Sequence, residues 1–173
     1  MKKTPLTVIG YDRIKGEVHR LKTKERPAVI QAIAEARAHG DLSENAEYDA
    51  AKEKQSLLEG RIQDLEAKIS TAEVINPKDL LKDGRVVFGV NVKFTDLESD
   101  EEFEYQIVGE DEADIKEGKI SYISPIAKAL IGKRVEDVAE FSIPSGKREV
   151  QILSVSYEAS KLANEKVKKK KMD

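Results

Sequence analysis

Residues 48–72 read YDAAKEKQSLLEGRIQDLEAKISTA, and in this stretch Tyr48, Ala51, Gln55, Leu58, Ile62, Leu65, Ile69 and Ala72 recur at intervals of three and four. That spacing puts all of them on one stripe of an α-helix, the seam of a coiled coil. A helix of about thirty residues is predicted, roughly 45 Å long at 1.5 Å per residue. Upstream, from Tyr11 on, Ile14, Val18 and Leu21, then Val29, Ile33 and Ala36 repeat the pattern more loosely, and the register slips near Pro27. Proline removes a helix hydrogen bond, so a kink or restart is expected there. Between the two halves lies Ala38-His39-Gly40-Asp41-Leu42-Ser43-Glu44. Gly40 suits a left-handed end to the first helix. Asp41 is placed to cap the second, with Glu44 at capping-box spacing. Two long helices joined by so short a link run antiparallel. Residues 1–76 are therefore expected to form a coiled-coil hairpin bending near residues 40–43, with the helical pattern reaching about Ile75.

Asn76-Pro77-Lys78-Asp79 breaks this pattern, and residues 77–82 read as a linker. Beyond it the period becomes strand-like. Val86–Phe88, Val90–Phe94, Phe103–Val108, Ile120–Ile123, Phe141–Ile143 and Val150–Val155 are short and rich in β-branched and aromatic residues. Pro144-Ser145-Gly146-Lys147 reads as a turn, and one short helix is expected near Pro125 to Ile131, with proline in its first turn. Residues 83–158 thus predict a small antiparallel α+β domain, near the lower size for independent folding. Residues 159–173 form a lysine-rich tail, expected to be disordered.

Composition narrows the function. Charged residues make up 36% and aromatics 5% of the 173 residues, with no tryptophan, which suits a long solvated helix better than one large core. A net charge of −3 argues against a general nucleic-acid binder. With no cysteine there is no disulfide or thiol chemistry, as fits a reducing compartment. The N-terminal MKKTPLTVIGYDRIKGE lacks the sustained apolar run of a secretory signal, and no stretch is long enough to span a membrane. A cytoplasmic location is expected.

Chemistry is expected at the bend. Asp41 and Glu44 are one helical turn apart, so their carboxylates can share a face and ligate Mg²⁺. Two carboxylates do not complete such a site, and a partner would have to supply the other ligands. The same spacing equally serves helix capping, worth ~1 kcal/mol with no function attached. Tyr48 is expected to pack in the seam, and His39 to lie on the surface rather than act as a ligand.

The segment from Ala34 to Glu53, with GDLSENAEY at its centre from Gly40 to Tyr48, resembles the coiled-coil tip of the Gre family of transcript cleavage factors, in its GreA branch. Ile123 to Lys133 resembles the loop and helix of that family's globular domain, and Gly84 to Gly89 its first strand. The resemblance runs from about residue 5 to 158, and the chain continues past Tyr157 for sixteen residues that the family pattern lacks. It implies an FKBP-like globular domain that docks on bacterial RNA polymerase through Ser124 and Pro125. It further implies a hairpin that enters the secondary channel, where Asp41 and Glu44 help hold Mg²⁺ beside the polymerase's own aspartates. Arg37, Lys52 and Asn45 would then lie near the nascent RNA. The factor would stimulate the polymerase's cleavage of backtracked transcript without independent catalysis, and would be monomeric when free. Three other functions are weighed against it: a Gre-like inhibitor that occupies the channel, a prolyl isomerase, suggested by the FKBP-like fold and disfavoured by the scarcity of aromatic residues, and a purely structural coiled-coil adaptor, which predicts no metal dependence.

Overall fold

The computed structural model describes residues 2–40, 45–79 and 82–157. By its packing the chain divides into two compact units, one of Met1–Thr4 and Ile9–Ala72, the other of Pro5–Val8 and the residues from Glu73 on.

The first unit is the hairpin. Helix α1 (Val8–Arg20) passes through a π turn (Leu21–Glu25) into α2 (Arg26–Ala38), and α3 (Ala46–Thr71) returns alongside them. Every seam position from Tyr48 to Ala72 is buried or half-buried, while most residues between them are exposed. Two clusters fill the seam: Val18 and Leu21 against Ile62 and Leu65, and Val29 and Ile33 against Ala51 and Tyr48. The restart expected near Pro27 occurs at Arg26. Pro27 has no N–H to give, and its ring crowds the carbonyl four residues back. The π turn relieves this by reaching one residue further, so that the Arg26 N–H donates to the Leu21 carbonyl. Cross-helix ion pairs line the seam. Arg26 forks onto Glu59 at 2.8 and 2.9 Å, Arg61 reaches Glu17 at 3.2 Å, and Lys22 pairs with Glu66. The hydrogen bond from Arg26 holds the Glu59 carboxyl below its ordinary value.

Helix α3 stops four residues earlier than the periodicity suggested. Ala72–Ile75 leave the helix as strand β2, which pairs with β1 (Thr4–Thr7) in a two-stranded sheet. The packing boundary accordingly falls at Ala72 rather than at residue 76. Pro5–Val8, assigned by sequence to the hairpin, belong to the second unit. Val74 and Ile75 are β-branched and satisfy their backbone across the ribbon, a partner invisible to a helical period.

The second unit is a five-stranded sheet built from β3 (Asn91–Asp96), β4 (Glu102–Val108), β5 (Lys119–Ser121), β6 (Val138–Ile143) and β7 (Gly146–Ser156), in the order β5-β4-β3-β7-β6. The sheet is mixed, not purely antiparallel. Strand β5 runs parallel to β4, with Ile107 opposite Ile120, because the chain crosses over through short 3-10 turns at Glu110–Glu112 and Ile115–Glu117. Val86–Phe88 is likewise not a ladder strand. It makes one bridge, Arg85 opposite Arg134, in which the Val86 N–H donates to Lys133 at 2.8 Å. Val86 is nevertheless fully buried, packed with Val90, Val92, Phe94, Ile107, Ile152 and the short helix α4 (Pro125–Leu130). Tyr157 closes this core and donates its hydroxyl to the Arg85 carbonyl at 2.8 Å. Among the described residues no helix is long and apolar enough to cross a membrane.

Candidate functional site

At the bend, α2 ends with the His39 N–H on the Ala36 carbonyl at 3.2 Å and the Gly40 N–H on that of Arg37 at 3.4 Å. Gly40 has φ +112°, a conformation strained for any residue with a side chain. Helix α3 begins at Ala46, and its N-cap is Asn45, whose Oδ1 accepts the Tyr48 N–H at 3.1 Å. The other end of the same amide donates to the Ala36 carbonyl at 2.7 Å. One side chain therefore ties the last turn of α2 to the first turn of α3. The expectation that Asp41 caps this helix with Glu44 as reciprocal partner is overturned, because the helix starts later and Asn45 holds that position. Asp41 and Glu44 themselves lie outside the described residues.

Arg37 and Lys52, on opposite helices, line one concavity of about 380 Å³ with Ile30, Ile33, Ala34 and Gln55. Arg37 also stands over the Tyr48 ring at 5.9 Å, and Lys52 donates to Gln55 at 3.2 Å. Tyr48 packs in the seam as expected. His39 is exposed, with Nδ1 3.4 Å from a Glu47 carboxylate oxygen. Asn45, expected near RNA, has both ends of its amide engaged within the chain.

In the second unit, Ser124 is the N-cap of α4. Its Oγ accepts the Ala127 N–H at 3.2 Å, and its own N–H donates to Ser121 at 3.0 Å. Pro125 opens the helix, and it is exposed together with Ile123. The cap fixes the loop, and Pro125 is its outward face.

A second concavity was not anticipated. Phe94, Phe103, Tyr105 and Phe141 line about 290 Å³ beside Ile126, with Asp96 and Arg148 at its edge, 3.6 Å apart. Phe94 and Phe103 stack at 5.6 Å, and Phe103 and Tyr105 at 6.1 Å. The alternation of Phe103 and Tyr105 along β4 was the available signal, since residues two apart share a sheet face. Backbone N–H groups of Glu98 and Ser99 hold the Asp96 carboxyl below its ordinary value, with Arg148 adding to the effect. Among the described residues no three His, Asp or Glu side chains converge as a metal site.

The fold and these sites define a two-unit protein, a helical hairpin carrying a charged bend and a separately cored α+β unit carrying a capped loop. Two family descriptions match in tandem: "Transcription elongation factor, N-terminal" over residues 4–74, and "Transcription elongation factor, GreA/GreB, C-term" over residues 81–157. The chain belongs to the GreA/GreB family of transcription elongation factors. It is 58% identical to transcription elongation factor GreA of Neisseria meningitidis serogroup A over 157 residues, which is 91% of this chain and 99% of the relative. Identity to GreA of Ralstonia nicotianae is 56% over the same shares of both chains. Among solved structures, GreA factor homolog 1 of Thermus thermophilus covers 89% of this chain and 99% of its own, at 30% identity and a TM-score of 0.40.

Proposed function

We propose that this chain stimulates the cleavage of backtracked RNA by bacterial RNA polymerase, with its bend in the secondary channel and its α+β unit docked outside. The observation that carries the role of the bend is the cap of α3. Asn45 performs it, so helix capping no longer accounts for the acidic pair Asp41 and Glu44 just before it. These two residues would give Mg²⁺ two oxygen ligands, with the polymerase providing the rest. Asn45 Oδ1 is not a third, since it accepts the Tyr48 N–H. Held by Asp41 and Glu44 together with the polymerase's ligands, such an ion would supply water activation and charge stabilisation at the departing oxygen of a phosphodiester.

Arg37 and Lys52, brought to one concavity, suit the phosphates of an extruded transcript, as cations need no special geometry toward phosphate. Ser124 uses its oxygen as a cap, which leaves its O–H and the Pro125 ring for docking. The chain on this view completes a catalytic site and does not possess one.

The test is Asp41→Asn and Glu44→Gln, each assayed for thermal stability, polymerase binding and cleavage. Stability and binding should hold, cleavage should fall sharply, and added Mg²⁺ should partly restore it. Full cleavage by either folded variant at low Mg²⁺ and saturating factor would refute that residue's metal role. A prolyl isomerase reading, suggested in sequence by the FKBP-like resemblance, gains the aromatic concavity as its structural support. Failure of the intact chain to accelerate cis–trans exchange in a proline peptide would dispose of it.

A further inference from the structure

Glu112 binds two segments that lie far apart in the chain. Its Oε2 accepts the Gly109 N–H at 2.8 Å and the Thr7 N–H at 3.2 Å, while its Oε1 accepts the Thr7 hydroxyl. The bond to Gly109 has an ordinary explanation, since a glutamate at the third position of a helical turn commonly reaches back to the N-terminal backbone. That explanation does not extend to Thr7, which is 105 positions away. Thr7 is the last residue of β1 and directly precedes α1. It is 7% exposed, so its donors are satisfied inside the protein.

Gly109 shows that the contact is close fitted. A Cβ there would stand 2.8 Å from Glu112 Oε2, 2.9 Å from the Pro5 carbonyl oxygen and 3.1 Å from a Leu6 methyl. Two of those obstacles belong to β1, and one is backbone, which cannot swing aside. Gly109 has φ −66° and ψ 159°, an extended backbone open to any residue, so glycine is needed here for space and not for conformation. Three bonds into one carboxylate, with the backbone in near contact beside it, hold Pro5–Val8 in the α+β unit although the helix they lead into belongs to the hairpin.

We propose that Glu112 is a positioning residue: it fastens the strand through which the chain enters α1, and so governs how productively the bend is presented to the polymerase. The role rests on the proposed cleavage function. Glu112 touches no RNA and no metal, and acts through Thr7.

The experiment uses the full chain with Glu112→Ala, Glu112→Gln, Thr7→Val and Gly109→Ala. Amide exchange is measured at Thr7 and Gly109, and cleavage is titrated against factor on a stalled polymerase complex. Glu112→Ala should speed exchange at both amides. Maximal cleavage should fall by about 10- to 100-fold, the scale on which a misplacement of about 1 Å acts, with little change in the half-saturating concentration. Glu112→Gln should recover most of the loss. Its carbonyl can accept the two N–H donors while its amide donates to the Thr7 hydroxyl. Gly109→Ala should reproduce the defect with Glu112 intact, and Thr7→Val should show part of it, so the test survives if the first variant folds poorly.

Unchanged maximal cleavage in Glu112→Ala, with exchange at Thr7 accelerated, would overturn the positioning role. So would a defect confined to the half-saturating concentration, which would mark docking. If the unmodified chain gives no cleavage, the functional reading falls and takes the positioning role with it, whereas exchange at Thr7 still reports whether the fastening exists.

Discussion

The hairpin keeps its core in a line, and the α+β unit gathers its core from across the chain. In the hairpin each seam residue packs on a neighbour one turn away or directly opposite, as Ile62 and Leu65 do on Val18 and Leu21. In the α+β unit, Phe94 on β3 meets Val150 and Ile152 on β7, and Val86 packs among strands and a helix that follow it in the chain. The linear core can be damaged locally, while the gathered core depends on many pairings at once. Charge is used differently too. The hairpin strings side-chain ion pairs along its seam, whereas Asp96 in the sheet unit is held first by backbone N–H groups.

The largest effect should come from emptying the gathered core. Phe94 is 1% exposed, and Phe94→Ala should cost about 3–5 kcal/mol and abolish protection of amides in β3, β4 and β7. Amides along the α3 seam should keep their slow exchange. If both sets of amides lose protection together, the two cores are not independent. Leu65→Ala is the matching cut in the line, at about 2–5 kcal/mol. Its damage should be greatest near Val18 and Ile62 and should fade toward the bend. Uniform loss along α3 would show the seam to be more cooperative than its clusters suggest.

A smaller effect tests the bend. Asn45→Ala removes a cap and the tie to Ala36, and should lower hairpin stability by about 1–2 kcal/mol. Asn45→Asp should retain the cap and lose the tie, giving an intermediate value. Asp41→Asn should leave stability unchanged. A loss as large as that of Asn45→Ala would return Asp41 to the capping role.

Smallest is the response to pH and salt. The Glu59 carboxyl lies below its ordinary value of 4.5, so the stabilisation from Arg26 is complete above that pH. It is lost as pH falls through the lowered folded value. The stability difference between the parent chain and Glu59→Gln should therefore shrink on acidification and with added salt, since the pair is exposed. The corresponding difference for Asp96→Asn should also shrink in acid but resist salt, because backbone N–H groups are its main support. Equal salt sensitivity at the two positions would break the contrast.

How much could be read in advance follows the same division. The seam from Tyr48 to Ala72, the restart near Pro27 and the glycine at the end of α2 were legible because helical contacts recur at short, regular intervals. The start of α3 was misread by four positions. Asp41 and Asn45 are both good capping residues by type, and it is the folded helix, with Asn45 Oδ1 accepting the Tyr48 N–H and its amide donating to the Ala36 carbonyl, that shows Asn45 in the position. The strands of the α+β unit were visible as β-rich runs, but the parallel pairing of β5 and the isolated bridge at Val86 were not. The aromatic concavity was missed because a partly buried phenylalanine and a wholly buried one look alike in a sequence.

From sequence alone came the antiparallel hairpin, the change of period near residue 76, the short helix opened by Pro125 and the acidic pair Asp41 and Glu44. Each rests on spacings of two to four residues, where backbone geometry leaves little choice. Tertiary structure alone decided that Pro5–Val8 leave the hairpin for the α+β unit, that Arg37 and Lys52 share a concavity, and that Glu112 meets Thr7. Those outcomes join residues from distant parts of the chain. Such contacts form only where the rest of the fold brings complementary groups within hydrogen-bonding distance, and no local pattern records the meeting.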